Sequence, residues 1–188
     1  MNTRPLINLL TGITTISSAF ELALSDRLEQ EQYKPHQILH AAGQMENRLY
    51  FIETGFARNY FYDKDGQEHT VKFREPGDIL FSYEGYYKVP SYFYTEIMEE
   101  SRLISLTYHD LHELDSIFTE VSVLIKSLLL RFQKEEYQRQ SLIALPNEER
   151  YLQLRKNNNA LFQRTPSRII ASYLHMSRET LNRLIARH

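Results

Sequence analysis

The stretch Thr165-Pro166-Ser167-Arg168-Ile169-Ile170-Ala171-Ser172-Tyr173-Leu174-His175-Met176-Ser177-Arg178-Glu179-Thr180-Leu181-Asn182-Arg183-Leu184 decides how this chain is organised. Thr165 can cap a helix, and Pro166 suits a first helical turn, where no amide hydrogen is needed. A short helix is expected over residues 169–174, a break at His175-Met176-Ser177, and a second helix capped by Ser177. Two helices that cross steeply need a small residue where they approach, and Ala171 fills that place. Ile170, Leu174, Met176, Leu181 and Leu184 then share one small core. Arg178, Glu179, Asn182 and Arg183 fall on the opposite face of the second helix. An arginine fork fits guanine O6 and N7, and a carboxylate accepts from cytosine N4. The pattern therefore predicts a helix-turn-helix whose second helix reads base edges. The turn position that usually takes glycine holds His175, and histidine tolerates the left-handed region better than most residues.

Charge supports the same region. The chain has 188 residues and a formal net charge of −2. From Arg164 to the end, five arginines (Arg164, Arg168, Arg178, Arg183, Arg187) stand against one acid, Glu179, leaving 17 basic against 23 acidic side chains elsewhere. A basic tip on an acidic body is the footprint of a nucleic-acid module. Cysteine is absent, which excludes a disulfide framework, thiolate zinc and a cysteine-held iron–sulfur cluster. No apolar run reaches membrane-spanning length. The N-terminal apolar run is broken by Thr11, Gly12, Thr14, Thr15, Ser17 and Ser18, a poor secretory signal, so a cytoplasmic location is expected.

The string Ser-Arg-Glu-Thr-x-x-Arg, here Ser177, Arg178, Glu179, Thr180 and Arg183, resembles the recognition-helix motif of the Crp/Fnr family of bacterial transcription regulators. The resemblance implies that Arg178, Glu179 and Arg183 contact bases, with Ser177 and Thr180 near phosphates. It extends over most of the chain. After an opening helix expected over residues 16–31, short β-type runs at 37–40, 49–52, 56–62, 70–73 and 79–81 are separated by Ala42-Gly43, Thr54-Gly55, Asp63-Lys64-Asp65-Gly66 and Pro76-Gly77-Asp78. Two more runs follow, at 92–98 and 103–107. Many short strands at this spacing predict a sandwich or jelly roll. The ordered set Gly43, Gly55, Gly66 and Pro76-Gly77-Asp78 is similar to the glycine skeleton of a cyclic-nucleotide-binding β-roll.

The family's cyclic-nucleotide sensors carry a glycine and a glutamate on a short helix, then an arginine and a serine or threonine on the next strand. Aligned on the Pro76-Gly77-Asp78 turn, the first pair of places holds Phe81 and Ser82. Aligned back from Leu103, the second pair holds Ser91 and Tyr92. No arginine lies between Arg74 and Arg102, and a buried cyclic phosphate without a charged partner is costly. Cyclic AMP is therefore not expected as a ligand. Phe81, Tyr83, Tyr86, Tyr87, Tyr92, Phe93 and Tyr94 replace the phosphate cassette. Either they fill the pocket themselves, or they frame one for an apolar or aromatic effector, with Phe81, Ser82, Glu84, Ser91 and Tyr92 as candidate ligand residues.

From Leu114, apolar residues recur at helical spacing through Phe118, Val121, Ile125, Leu128 and Phe132, a candidate dimer seam; Leu124, Leu129 and Leu130 widen it enough to allow packing on the chain's own roll. Dimerisation also suits DNA reading, because a two-fold dimer places two recognition helices about 34 Å apart. Leu145-Pro146-Asn147 marks a hinge. The expected fold is α+β: a jelly-roll domain at 1–113, a dimerisation helix at 114–141 and an all-α helix-turn-helix domain at 142–188. The sequence ends five residues past Arg183, too few for a β-hairpin wing, so backbone anchoring is expected from Thr165, Ser167 or Arg168. The implied partners are double-stranded DNA, a second copy of the chain, RNA polymerase and a small effector, with no membrane and no cofactor. Two rivals stand beside this reading. One is an effector-sensing roll that signals through protein partners with a degenerate DNA-binding domain. The other is a β-roll metal enzyme, which the scattered histidines disfavour: His109 and His112 are three apart with no third ligand in spacing, and only His69 lies in the central strands. No catalytic residue and no metal site are expected.

Overall fold

Side chains alternate across a strand, and in Leu49-Tyr50-Phe51-Ile52 that alternation sorts two apolar cores. In the computed structural model, which describes all 188 residues, this run lies in strand β3 (Arg48–Thr54). It is one of eight strands: β1 (Glu29–Tyr33), β2 (Ile38–His40), β4 (Ala57–Tyr62), β5 (Glu68–Arg74), β6 (Ile79–Leu80), β7 (Tyr94–Ile97) and β8 (Ser101–Thr107) complete the set. Two four-stranded sheets result, ordered β1-β8-β3-β6 and β2-β7-β4-β5. Strand β8 pairs antiparallel with both β1 and β3, with Ile104 opposite Gln30 on one side and Phe51 on the other. Tyr50, Ile52 and Leu103 turn one way, into a cluster with Ala57, Leu80 and Ile97. Phe51, Ile104 and Leu106 turn the other way, into a helical layer.

That layer comes from four helices: α1 (Arg4–Thr11), α2 (Ser18–Ser25), α4 (Tyr108–Ile117) and α5 (Thr119–Ile143), while the short α3 (Tyr83–Tyr87) follows β6. Leu6 and Leu10 of α1 and Phe20 and Leu24 of α2 join Leu111, Leu114, Val121, Leu124 and Ile125 in one core. The opening helix expected at 16–31 is thus the shorter α2 followed by the strand β1, with α1 preceding it. Ser17 starts α2 by capping it, its hydroxyl accepting from Phe20 N at 3.2 Å. The strand β1, Glu-Gln-Glu-Gln-Tyr, has no apolar alternation because it is an edge strand bonded on one side only. The expected helix from Leu114 is also interrupted: Phe118 is extended (φ −118°, ψ 114°), separating α4 from α5.

Each glycine expected to make a corner, Gly43, Gly55, Gly66 and Gly77, has a positive φ; His36, Lys88 and His175 share that region. Gly55 shows the reason most sharply. A Cβ there would lie 1.9 Å from Ser101 Oγ and 2.7 Å from Ser101 Cα, so strand β8 could not close against the corner.

Two compact units emerge. The first comprises residues 1–59 and 73–132; the second comprises 60–72 and 133–188. The division falls inside α5 rather than at its ends, and the β4–β5 hairpin groups with the C-terminal helices. Those helices are α6 (Asn147–Asn157), α7 (Leu161–Arg164), α8 (Ser167–Tyr173) and α9 (Arg178–Arg187). No helix is long and apolar enough to cross a membrane.

Candidate functional site

Within the second unit, α8 and α9 are joined by a tight turn over residues 174–177, bonded from Met176 N to Ala171 O at 3.0 Å and from His175 N to Ser172 O at 3.2 Å. Ile170, Leu174, Leu181 and Leu184 are buried as expected, with Ala171 buried at the crossing, while Met176, expected in the same core, is half-buried. Arg178, Glu179, Asn182 and Arg183 are all exposed. His175 sits at φ 51°, in the left-handed region expected of the turn. Ser177 caps α9: its hydroxyl accepts from Thr180 N at 3.1 Å and lies 3.1 Å from Thr180 Oγ1. The helix N-terminus and the Ser177 hydroxyl hold the Glu179 carboxyl below its usual range. The exposed face thus presents two guanidinium forks, a carboxylate and an amide on a capped helix.

The three candidate anchors differ in placement. Thr165 does not cap α8; the position belongs to Pro166, with no side-chain cap. Thr165 is instead buried, and its Oγ1 has no hydrogen-bond partner. Ser167 is half-buried. Arg168 is exposed and pairs with Glu68 of β5 at 3.2 Å.

A residue that sequence reasoning passed over supports the turn. Arg150 of α6 donates to Leu145 O at 2.6 Å, Leu174 O at 2.7 Å and His175 O at 3.0 Å. The carbonyls at the end of a helix lack intrahelical donors, and here one guanidinium serves the end of α8 and the residue before Pro146. Arg139 adds a bond to His175 Nε2 at 3.0 Å. A guanidinium can only donate, so this contact favours the neutral imidazole. Burial, then Arg139, His69 and Arg150, press its pKa down. Only the arginine and the helix-ending signal were visible in sequence; the pairing is tertiary.

In the first unit, the five candidate ligand residues do not frame one pocket. Phe81 lies in the core, 5.8 Å ring to ring from Tyr86 and 5.9 Å from Tyr108. Tyr92 is 70% exposed. Ser91 is buried and closes its own turn, with its hydroxyl donating to Phe93 O at 3.0 Å and accepting from Phe93 N at 3.2 Å. Ser82 caps α3 through Gly85 N at 2.9 Å and donates to Glu46 Oε2 at 2.5 Å. Glu46 and Glu84 are both buried, and burial, reinforced by Glu46, raises the Glu84 pKa. His40 lies 3.7 Å from Glu46, with burial pressing its pKa down. The buried arginine of β4, Arg58, is paired with Glu96 at 2.7 Å. Glu46 and His40 escaped sequence reasoning because neither sits in a motif.

The expected dimer seam also faces inward in part. Val121 and Ile125 are 1% and 4% exposed, and Phe118 and Leu128 pack on the same core. Spacing marks an apolar face without saying what covers it, and α1 and α2 cover this one. Phe132 is half-buried. The large apolar side chains that α5 leaves exposed are Val123, Leu130 and Tyr137, seven residues apart.

Residues 30–116 match the family model of the cyclic nucleotide-binding domain. No curated protein matches the chain significantly by sequence. Among solved structures, FixK2 from Bradyrhizobium japonicum superposes with TM-score 0.76 at 17% identity, over 85% of this chain and 83% of that one. A transcriptional regulator assigned to the Crp/Fnr family from Eubacterium rectale gives 0.75 at 16% identity, over 92% and 83%. The catabolite activator protein of Thermus thermophilus gives 0.60 at 20% identity, over 95% and 85%. The chain thus carries a match to the cyclic nucleotide-binding domain at residues 30–116 and shares its fold with transcription regulators of the Crp/Fnr type.

Proposed function

We propose that this protein is a sequence-specific DNA-binding transcription regulator that acts as a homodimer on a palindromic site. The observation that carries the reading is α9: Ser177 caps it, Leu181 and Leu184 anchor it, and Arg178, Glu179, Asn182 and Arg183 stand exposed on its outer face. In this reading α8 and α9 are a helix-turn-helix and α9 enters the major groove. Arg178 and Arg183 fork onto guanine, Glu179 accepts from cytosine, and Asn182 reads adenine. Ser177 and Thr180, at the helix start, lie nearest the phosphates. Arg168 and Ser167 add backbone contacts. With Thr165 buried, anchoring rests on those two.

The outward line of Val123, Leu130 and Tyr137 on α5 is the face we assign to the second copy, since a seven-residue period keeps one stripe turned toward a partner helix. Cyclic AMP is not the effector in this account. The places of the phosphate cassette hold Phe81, Ser82, Ser91 and Tyr92, and the nearby buried carboxylates of Glu46 and Glu84 would repel a cyclic phosphate. The test is selection from a pool of random duplexes. Enrichment of two-fold symmetric sites with half-sites about one helical turn apart supports the reading, and a selection that enriches no sequence refutes it.

A further inference from the structure

We propose that the β4–β5 hairpin is an autoinhibitory latch on α8, in which Glu68 takes the guanidinium that a DNA phosphate would otherwise take. This rests on the DNA-binding reading above. Residues 60–72 and 133–188 form one compact unit, and the contacts that bind the hairpin to α8 are specific. The Ser172 hydroxyl donates to Glu68 O at 2.8 Å and accepts from Thr70 N at 2.8 Å, so one side chain of α8 takes both an acceptor and a donor of strand β5. Arg168, one turn earlier on α8, pairs with the Glu68 carboxylate at 3.2 Å. The His69 and His175 rings, 5.4 Å apart, continue the contact to the turn before α9. Lys72 pairs with Glu135 of α5 at the far end of the hairpin.

The chemistry of this contact makes it competitive. Between Tyr60 and Lys72 the hairpin carries Asp63, Asp65 and Glu68 beside Lys64 and Lys72, and its Glu68 carboxylate meets Arg168, the one charged residue of α8. A carboxylate and a phosphate oxygen are equivalent acceptors for a guanidinium, so Glu68 competes with a phosphate for the Arg168 NH1 donor it holds. Ser172 is likewise saturated by strand β5, leaving no donor for a phosphate. DNA binding through α8 therefore requires the hairpin to let go, and any event that loosens residues 60–72 raises DNA affinity by freeing an occupied anchor.

The experiment measures two things on the full-length protein: fluorescence anisotropy with the selected duplex, and hydrogen–deuterium exchange at the Thr70 amide. Glu68→Gln keeps the shape and removes the charge, and is expected to tighten DNA binding about fivefold. Ser172→Ala is expected to speed Thr70 exchange about tenfold and to tighten DNA binding in the same direction. Asp65→Asn, which removes an equal charge from the same hairpin, is expected to leave affinity near wild type. The latch is overturned if Thr70 exchange is unchanged in Ser172→Ala, if neither variant binds DNA more tightly, or if Asp65→Asn gains as much as Glu68→Gln. Arg178→Ala separates this from the parent reading. If the DNA assignment itself is wrong, Arg178→Ala binds like wild type. If only the latch is wrong, Arg178→Ala loses binding while Glu68→Gln gains nothing.

Discussion

Replacing Arg150 with methionine keeps the aliphatic stem and removes the guanidinium that ties three carbonyls together. Two of those bonds, to Leu145 O at 2.6 Å and Leu174 O at 2.7 Å, are partly buried, and the third, to His175 O at 3.0 Å, is exposed. A hydrogen bond from a charged donor contributes roughly 1.5 kcal/mol at the low end, and an exposed one about 0.5 kcal/mol, so Arg150→Met should lose about 3.5 kcal/mol. For a unit of this size, 1 kcal/mol moves the melting temperature by about 4–8 °C, so a drop of at least about 14 °C is expected. Arg150→Lys retains the charge but not the fork; it reaches one carbonyl and should recover roughly a third of the loss. Differential scanning calorimetry reads this directly, provided the lowest-temperature transition is followed. Equal melting of Arg150→Met and wild type would refute the idea that this arginine braces the end of α8 and the turn beyond it.

Three further outcomes follow from named contacts. His175 has its pKa pressed down chiefly by burial, so the unfolded chain takes up its proton first. Stability is then full above the ordinary histidine range and falls as pH drops below about 6.5 toward the lowered folded value. His175→Asn, which tolerates positive φ but does not titrate, should show a shallower loss in thermal melts between pH 7.5 and 5, and identical slopes would sink the argument. Gly55→Ala forces a methyl group into Ser101 Cα at positive φ and should destabilise the roll by about 3 kcal/mol or more in urea unfolding. An unchanged midpoint would mean the corner is not tight. Leu130→Asp places a charge on the exposed line of α5 and should convert dimer to monomer in sedimentation velocity while the monomer stays folded. A dimer that survives it moves the interface elsewhere.

The fold was legible where local chemistry and tertiary role coincide. Gly43, Gly55, Gly66 and Gly77 mark corners because positive φ is a backbone requirement, and all four adopt it. The α8–turn–α9 pair was legible because Ala171, Leu174, Leu181 and Leu184 pack on one another at short range, down to the left-handed His175. The β1 strand was hidden, since Glu29–Tyr33 carries polar side chains on an edge and shows no alternation. Partner choice was hidden as well. Phe118, Val121, Ile125 and Leu128 have the period of a helix–helix seam, yet α1 and α2 cover them, and nothing in that spacing distinguishes a neighbour in the chain from a second copy. The candidate ligand residues failed to gather for a related reason. Ser82 meets Glu46 and Tyr108 from distant parts of the chain, whereas Tyr92, close in sequence, points into solvent. Arg150 and Glu68 act only through tertiary contacts, which no motif announces.

The central claim is that α9 reads base edges with Arg178 and Arg183. Its most direct test is an anisotropy titration of the selected duplex with wild type, Arg178→Ala and Arg183→Ala, repeated with single-base changes in the half-site. Each substitution should weaken binding by about 1–3 kcal/mol and flatten the preference at one base position while leaving the others intact. Unchanged affinity and unchanged base preference in both variants would contradict the account.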